Sequence, residues 1–278
     1  MSDLTVRLII VCVMTTIIHL INTLNYSVRL AGVRTKRLAI AFSLFNVIFL
    51  ISSTANTVQA PLLAKISDKL FAGVERGSAL YGEHLVSLSW DIRLVLASAT
   101  LGTVMGTMLI PSFVRLMSKG IFLFERTGSI PLLLGALLSP GRVSRVLADV
   151  YLPGAGALTR AKRQDIPKRL LTLNVLITGV FTTGVLSALY AGSLVPEFGK
   201  TAAMLSSIVN GGAQILLATV VDPMVATITD QAIRGVRSEE DVKSMVMYLA
   251  FSRIAGTVLA QLIFIPAAEL IRLVAHLI

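Results

Sequence analysis

The fold class is set by the first hydrophobic segment, residues 4–30, which has the sequence LTVRLIIVCVMTTIIHLINTLNYSVRL. Most of it is apolar, and a helix of this length crosses the ~30 Å hydrocarbon layer of a bilayer. Polar groups at membrane depth are costly and usually face a bundle interior or a wet cavity. Polar residues nevertheless recur in this segment at three- and four-residue steps, which places them on one helix face: His19, Asn22, Asn25 or Tyr26, and Arg29. The stripe therefore predicts the wall of a polar space inside a membrane.

The composition of the chain supports the same class. Its 278 residues are 55% hydrophobic and 14% charged, with a mean hydropathy of +0.81, whereas soluble domains carry about 25% charged residues. The alternating ten-residue segments of a transmembrane barrel are absent, so we predict an all-α integral membrane protein. The single cysteine, Cys12, excludes an internal disulfide and a cysteine-based metal cluster.

Long apolar runs predict six transmembrane helices at residues 4–26, 38–63, 92–114, 169–194, 201–226 and 245–276. A further apolar stretch, Ile130–Leu138 in the central loop, is too short to span and predicts an interfacial or re-entrant segment. Most of the 25 lysines and arginines fall in the loops after the first, third and fifth spans. This bias predicts that those loops are cytoplasmic and that both termini are extracytoplasmic.

The two halves of the chain resemble each other. The sequence APLLAKISD at 60–68 parallels DPMVATITD at 222–230, and GTVM at 102–105 parallels GTVL at 256–259. Three spans per unit would make the second unit inverted, the arrangement of many transporters. The predicted organisation is a first repeat at 1–114, a basic cytoplasmic connecting segment at 115–168 and a second repeat at 169–278. The alternative is a six-helix bundle whose similarities reflect shared composition.

Several polar residues inside the predicted spans are candidates for substrate binding. Arg253 carries the most weight, because an arginine inside a membrane needs a partner or an anionic ligand. The full candidate set is His19, Asn22, Asn25, Arg29, Asn56, Gln59, Asn210, Gln214, Asp222 and Arg253. The amides and His19 could instead be structural hydrogen-bonding groups between helices. Arg29 and Asp222 could equally lie at the cytoplasmic interface.

No motif indicates an enzyme, a metal site or a bound cofactor. Nucleotide-binding glycine loops, the H-E-x-x-H zinc motif and the G-x-S-x-G elbow are absent from the sequence. The basic loops suit orientation and contact with anionic membrane lipids, or the concentration of an anionic substrate. They lack the interleaved aromatic residues expected for nucleic-acid binding.

The stretch HLINTLNYSVRLAGVRTKRLAIAFSLFNVIFLISSTANTVQAPLLAKISD, residues 19–68, resembles the Amj family of bacterial membrane proteins. The resemblance is sharpest in LNYSVRLAGVRT at 24–35 and in SSTANTVQAPLL at 52–63. It implies a lipid II flippase of the cytoplasmic membrane. Such a protein moves the undecaprenyl-pyrophosphate-linked peptidoglycan precursor from the inner to the outer leaflet, in parallel with the unrelated MurJ-type flippases. The resemblance supplies no catalytic motif that could be assigned to residues of this sequence.

The residues fit that substrate, because a flippase needs a polar groove open to the bilayer and cations for the phosphates. We expect alternating access, with lipid II and anionic lipids as partners, and the sequence leaves a homo-oligomer open. The first alternative is an ion-coupled transporter of a small solute, which would have a closed central pocket rather than a lateral gap. An intramembrane lipid enzyme would need clustered acids, and a scaffold would not need so polar a second span.

Overall fold

The computed structural model describes residues 3–129 and 166–278. Within these ranges the chain is helical and contains no β-strand. Six helices in this part of the chain are long and apolar enough to cross a membrane: α1 (Asp3–Thr35), α2 (Leu38–Phe71), α3 (Ala79–Thr127), α4 (Lys168–Leu194), α5 (Pro196–Ile233) and α6 (Glu239–Leu277). The prediction of an all-α membrane protein with six spans is confirmed. The short segment predicted at 130–138 lies outside the described residues.

The helices extend beyond the predicted spans, most clearly in α3. This helix has 49 residues and includes the whole predicted span 92–114. It begins after Ser78, whose hydroxyl accepts a hydrogen bond from the backbone N–H of Tyr81, and it ends at Gly128 with a positive φ of 62°. Residue 115, the predicted start of the connecting segment, therefore lies inside α3. Hydropathy detects only the apolar part of a helix, whereas backbone hydrogen bonding continues it into the polar flanks.

The helix ends collect on two opposite sides of the bundle, as six crossings require. On one side lie both termini and the turns after α2 and α4, joined by the contacts Asp3–Lys69, Arg76–Glu197 and Phe198–His276. On the other side Arg34, at the end of α1, pairs with Glu239, at the start of α6. The basic ends of α1 and α3 thus lie on the side away from the termini.

The largest helix interfaces join α1 with α3 and α4 with α6. Both depend on glycine at the crossing. A Cβ at Gly102 of α3 would lie 2.2 Å from the carbonyl oxygen of Thr16 on α1. A Cβ at Gly256 of α6 would lie 2.6 Å from the Cβ of Thr178 and 2.7 Å from the carbonyl oxygen of Val175, both on α4. Small residues let these helix backbones approach closely, which is how helices associate in lipid.

Helices α2 and α5 lie at the periphery of the bundle. On α2, Leu50 and Ile51 are 63% and 61% exposed, and on α5 Met204 and Ile208 are 75% and 69% exposed. Each helix packs mainly on the first helix of its own half, α2 on α1 and α5 on α4. Between α2 and α5 themselves, no extended interface is found in the described residues. These two helices therefore pack on their own halves of the chain and not extensively on each other.

Candidate functional site

A polar cavity of about 90 Å³ lies near the middle of the bundle, between α1, α2, α3, α4 and α5. Its polar wall consists of Thr15, His19, Asn56, Gln59, Thr182 and Asn210. Its apolar wall consists of Ile18, Ala60, Leu63, Val95, Ala99, Phe181, Val185 and Leu186. A volume of this size holds only a few water-sized groups.

The stripe on α1 supplies one wall of the cavity. Thr15 and His19 are four residues apart and so lie on one helix face, one turn from each other. The Thr15 hydroxyl donates to the carbonyl oxygen of Val11 at 2.7 Å and accepts from the Gln59 side-chain amide at 2.5 Å. This second bond holds α2 against α1. His19 is 7% exposed, and its Nδ1 atom has no hydrogen-bond partner in the described structure.

An irregular helix, α5, adds one residue to the cavity wall, Asn210. Asn210 packs against Gly184 of α4, and its side-chain oxygen is buried without a hydrogen-bond partner in the described structure. Further along α5, Leu217–Val221 is π-helical, and the N–H of Asp222 donates to the carbonyl oxygen of Leu217. Pro223 follows directly and has no N–H to continue the α-helical pattern. Single π-helical turns of this kind are frequent at functional sites.

Arg253 of α6 lies close enough to His19 to interact with it electrostatically. Its Nε atom is buried and has no hydrogen-bond partner, and no ion pair of Arg253 is found among the described residues. A buried polar atom without a partner costs about 1–3 kcal/mol. Unpaired atoms at His19, Asn210 and Arg253 are therefore well suited to bind a polar ligand.

A second polar group lies between α1, α4 and α6. The Tyr26 hydroxyl donates to the side-chain oxygen of Asn174 at 2.9 Å. The Asn174 amide nitrogen donates to the carbonyl oxygen of Leu249 at 3.1 Å and to the Ser252 hydroxyl at 2.8 Å. Asn174 is 1% exposed, so these bonds are shielded from solvent. Asn174 was not predicted from the sequence, where it is a single amide residue in the first part of the predicted fourth span.

Two predicted substrate-binding residues pair with each other. An Arg29 guanidinium nitrogen lies 3.1 Å from a carboxylate oxygen of Asp222, and the guanidinium lies 5.3 Å from the centre of the Phe42 ring. The Arg29 side chain is 14% exposed and that of Asp222 is 52% exposed. The pair joins α1 to α5 near the ends of these helices that carry the basic loops. In this conformation Arg29 is already neutralised by a protein carboxylate.

The structure brings only part of the predicted set together. His19, Asn56, Gln59 and Asn210 line the cavity, and Arg253 lies beside it. Asn22 faces α2, where the Ser52 hydroxyl is 3.4 Å from its side-chain oxygen. Asn25 and Gln214 are exposed and do not line the cavity, and Arg29 with Asp222 forms the separate ion pair.

The sequence also left some wall residues unpredicted. Thr15 had a signal, since it extends the α1 stripe by one turn below His19. Phe181 and Thr182 of α4 had none, because neither is unusual in a membrane helix.

The cavity wall includes an exposed residue of α2. Asn56 lines the cavity and is also exposed to solvent in the described structure. Other polar side chains on the exposed surface of α2 are Asn46, Ser53, Thr54 and Thr57. Polar groups on a lipid-facing surface are costly unless water or a polar ligand covers them. The polar wall of the cavity at Asn56 thus adjoins exposed polar residues of α2.

Fold and site together define a multi-pass helical membrane protein with a polar cavity between its helices, an arrangement typical of membrane transport proteins. Residues 14–275 match the family model described as "Amj: Alternate to MurJ", and the chain belongs to the Amj family. A protein of Bacillus subtilis (strain 168) named "Lipid II flippase Amj" is 39% identical over 269 residues, which cover 96% of each chain. No solved structure matches. The resemblance seen in residues 19–68 is confirmed over nearly the whole chain.

Proposed function

We propose that this protein is a lipid II flippase of the bacterial cytoplasmic membrane. The family and the named relative support this function. The observation that carries it within the structure is the polar cavity whose wall at Asn56 is exposed beside other polar residues of α2, which we interpret as an opening to the bilayer. A lipid-linked substrate needs such an opening, because its head group must be shielded from hydrocarbon while its tail stays in lipid.

A specific observation favours an ion-coupled transporter of a small solute as the second candidate. The cavity volume of about 90 Å³ suits a small solute and is far below that of a sugar-peptide head group. The polar residues exposed on α2 beside the cavity favour a lipid-linked substrate, since a small soluble substrate needs no contact with the bilayer. The cavity volume implies that α2 and α5 move apart when the head group enters, and no extended interface between them in the described residues opposes that movement.

The cations of the site suit the diphosphate of the substrate. Arginine presents a planar set of donors that matches phosphate oxygens, and Arg253 is unpaired in the described structure. Arg29 is held by Asp222 in this conformation. We propose that the approaching diphosphate competes with Asp222 for Arg29 and so opens the basic side of the bundle.

The proposed orientation places the basic loops in the cytoplasm and both termini outside. Most of the 25 lysines and arginines then face the cytoplasm, where anionic lipids and the substrate are found. The cation–carboxylate pairs Arg29–Asp222 and Arg34–Glu239 close the same side. In this arrangement the substrate enters from the inner leaflet when both pairs open.

Alternating access requires two halves that move as units, which we propose to be residues 1–114 and 169–278. Thr16 and Thr178 align at the same sequence offset as Pro61 and Pro223. Each threonine is contacted by the glycine of a Gly-Thr-Val sequence on the third helix of its own half. A glycine–threonine crossing thus recurs in both halves and supports two inverted repeats, although Gly102 meets the backbone of Thr16 and Gly256 meets the side chain of Thr178. The alternative is a bundle whose similarities reflect shared composition.

The test uses the purified full chain in liposomes that contain lipid II on both leaflets. An external reagent modifies only the outer leaflet in protein-free liposomes, about half of the lipid II, and a flippase raises this to nearly all. We expect Arg253→Gln to slow this exposure at least tenfold. Arg272→Gln, on the same helix but paired with Glu269 at 2.6 Å near the terminus, is the matched control.

The two possible failures are distinguishable. If the wild-type chain leaves half of the lipid II protected, the proposed function is wrong. If it exposes all of the lipid II and Arg253→Gln does so at the same rate, the function stands and the role of Arg253 is wrong.

A further inference from the structure

We propose that His19 takes up a proton when the diphosphate of the substrate enters the cavity. The inference rests on the proposed function and extends it to a second ligand, the proton. Among the described residues that line the cavity, His19 is the only one with a titratable side chain. Its Nδ1 atom is buried and unpaired, so it can bind a proton or a ligand without breaking a hydrogen bond in the described structure.

The surroundings of His19 lack a compensating negative charge in the described structure. The helices around the cavity present uncharged groups: Thr15 from α1, Asn56 and Gln59 from α2, Val95 and Ala99 from α3, Phe181 and Thr182 from α4, and Asn210 from α5. Arg253 from α6 is the charged residue that acts on His19. A protonated His19 would therefore place a second positive charge beside Arg253, a half-buried arginine that has no carboxylate partner among the described residues.

The diphosphate reverses this balance. A diphosphate esterified at both ends retains one negative charge on each phosphate, two in all. Arg253 supplies one positive charge, and a protonated His19 supplies the second. The charges then cancel inside the bundle, which lowers the cost of holding the diphosphate in a low-dielectric site.

Binding of the two ligands is consequently linked. If the proton strengthens diphosphate binding, the diphosphate must strengthen proton binding by the same factor. The proton comes from solvent, binds at Nδ1 and returns to solvent when the diphosphate leaves, so no covalent bond of the substrate changes. Couplings of this kind commonly change affinity by about 5- to 150-fold.

The first experiment measures proton uptake directly, with inorganic pyrophosphate as the probe. Pyrophosphate is added to the detergent-solubilised full chain in weak buffer at about pH 5, where it carries two negative charges like the diphosphate of the substrate, and a pH indicator records the protons removed. We expect up to one proton per chain for the wild type and none beyond the protein-free blank for His19→Gln or His19→Asn. Two replacements are used so that a folding defect in one does not decide the result.

The matched control is His84→Gln. His84 of α3 also has a buried Nδ1 without a partner, but it packs against Phe71, with ring centres 6.0 Å apart, and does not line the cavity. This variant should retain the wild-type proton uptake. Uptake that survives in both His19 variants, or that is lost in His84→Gln, would overturn the proposal.

The second experiment measures lipid II exposure in liposomes between about pH 5 and pH 8, the range in which histidine titrates. We expect the wild-type apparent affinity to fall at least fivefold toward high pH, and the His19→Gln profile to be flat. If the His19→Gln variant shows the same pH dependence as the wild type, the proton linkage is wrong and the flippase function still stands. A wild-type chain inactive at every pH instead refutes the flippase function, and proton uptake with pyrophosphate still decides the role of His19.

Discussion

Replacing Gly102 with alanine should loosen the interface between α1 and α3. The added Cβ would lie 2.2 Å from the carbonyl oxygen of Thr16 and 2.9 Å from its Cα, which are backbone atoms that cannot rotate away. Ordinary contact begins near 3.4 Å, so the helices must separate by about 1.2 Å. The shift also stretches the 3.2 Å hydrogen bond from the Thr16 hydroxyl to the carbonyl oxygen of Ser98.

The expected loss of stability follows from these contacts. Overpacking costs about 1–3 kcal/mol, and a weakened hydrogen bond adds about 1 kcal/mol. Alanine recovers about 1 kcal/mol through its higher helix propensity, which leaves a net loss of about 1–3 kcal/mol. We expect Gly256→Ala to cost a similar amount, since its Cβ would meet Thr178 of α4 at 2.6 Å.

The measurement is reversible unfolding in mixed detergent micelles with increasing SDS, followed by far-ultraviolet circular dichroism. Gly120→Ala is the matched control on the same helix, because its Cβ would approach only the side chain of Leu44, at 4.0 Å. The control should be as stable as the wild type or slightly more stable. A Gly102→Ala protein that also matches the wild type would refute the close approach of α1 and α3.

The remaining predictions concern polar contacts. Arg29→Ala and Asp222→Ala should each alter the rate of lipid II exposure in liposomes. A double-mutant cycle on the activation free energies from these rates should give a coupling of about 0.5–3 kcal/mol, and additive effects would show that the pair is not functional. Asn174→Ala removes three hydrogen bonds and should cost about 2–4 kcal/mol in SDS unfolding, whereas Thr172→Ala on the same helix should be neutral. Gln59→Leu keeps the side-chain size but loses the hydrogen bond to Thr15 of α1, so lipid II exposure should slow while the fold is retained. Lipid II exposure at the wild-type rate would show that Gln59 is not part of the site.

The six helices were predictable because helix formation and membrane insertion depend on local properties of the chain. A run of about 20 apolar residues specifies a spanning helix whatever it later packs against. The outer ends of α3 were not predicted, since hydropathy does not register the polar turns up to Thr127. The capping residues Ser78 and Gly128 set those ends through their own hydrogen bonds and backbone conformation.

The candidate site was only half predictable. Helical periodicity put polar residues on one face of α1, where Asn25 and Tyr26 fit equally well, and the predicted set took Asn25. The structure chooses Tyr26, because its hydroxyl reaches Asn174 of α4, while Asn25 is exposed. The sequence likewise proposed Arg29 and Asp222 as separate ligands, and the structure joins them.

By itself, the sequence determined the membrane class, the number of helices and the polar face of α1, since each depends on residues close together in the chain. Only the tertiary structure decided which polar faces meet. The partners of Arg29 and Tyr26 lie 193 and 148 residues away, and the cavity takes residues from five helices. Packing in three dimensions sets such contacts, so the stripe on α1 became a cavity wall only where α2 and α5 leave space beside it.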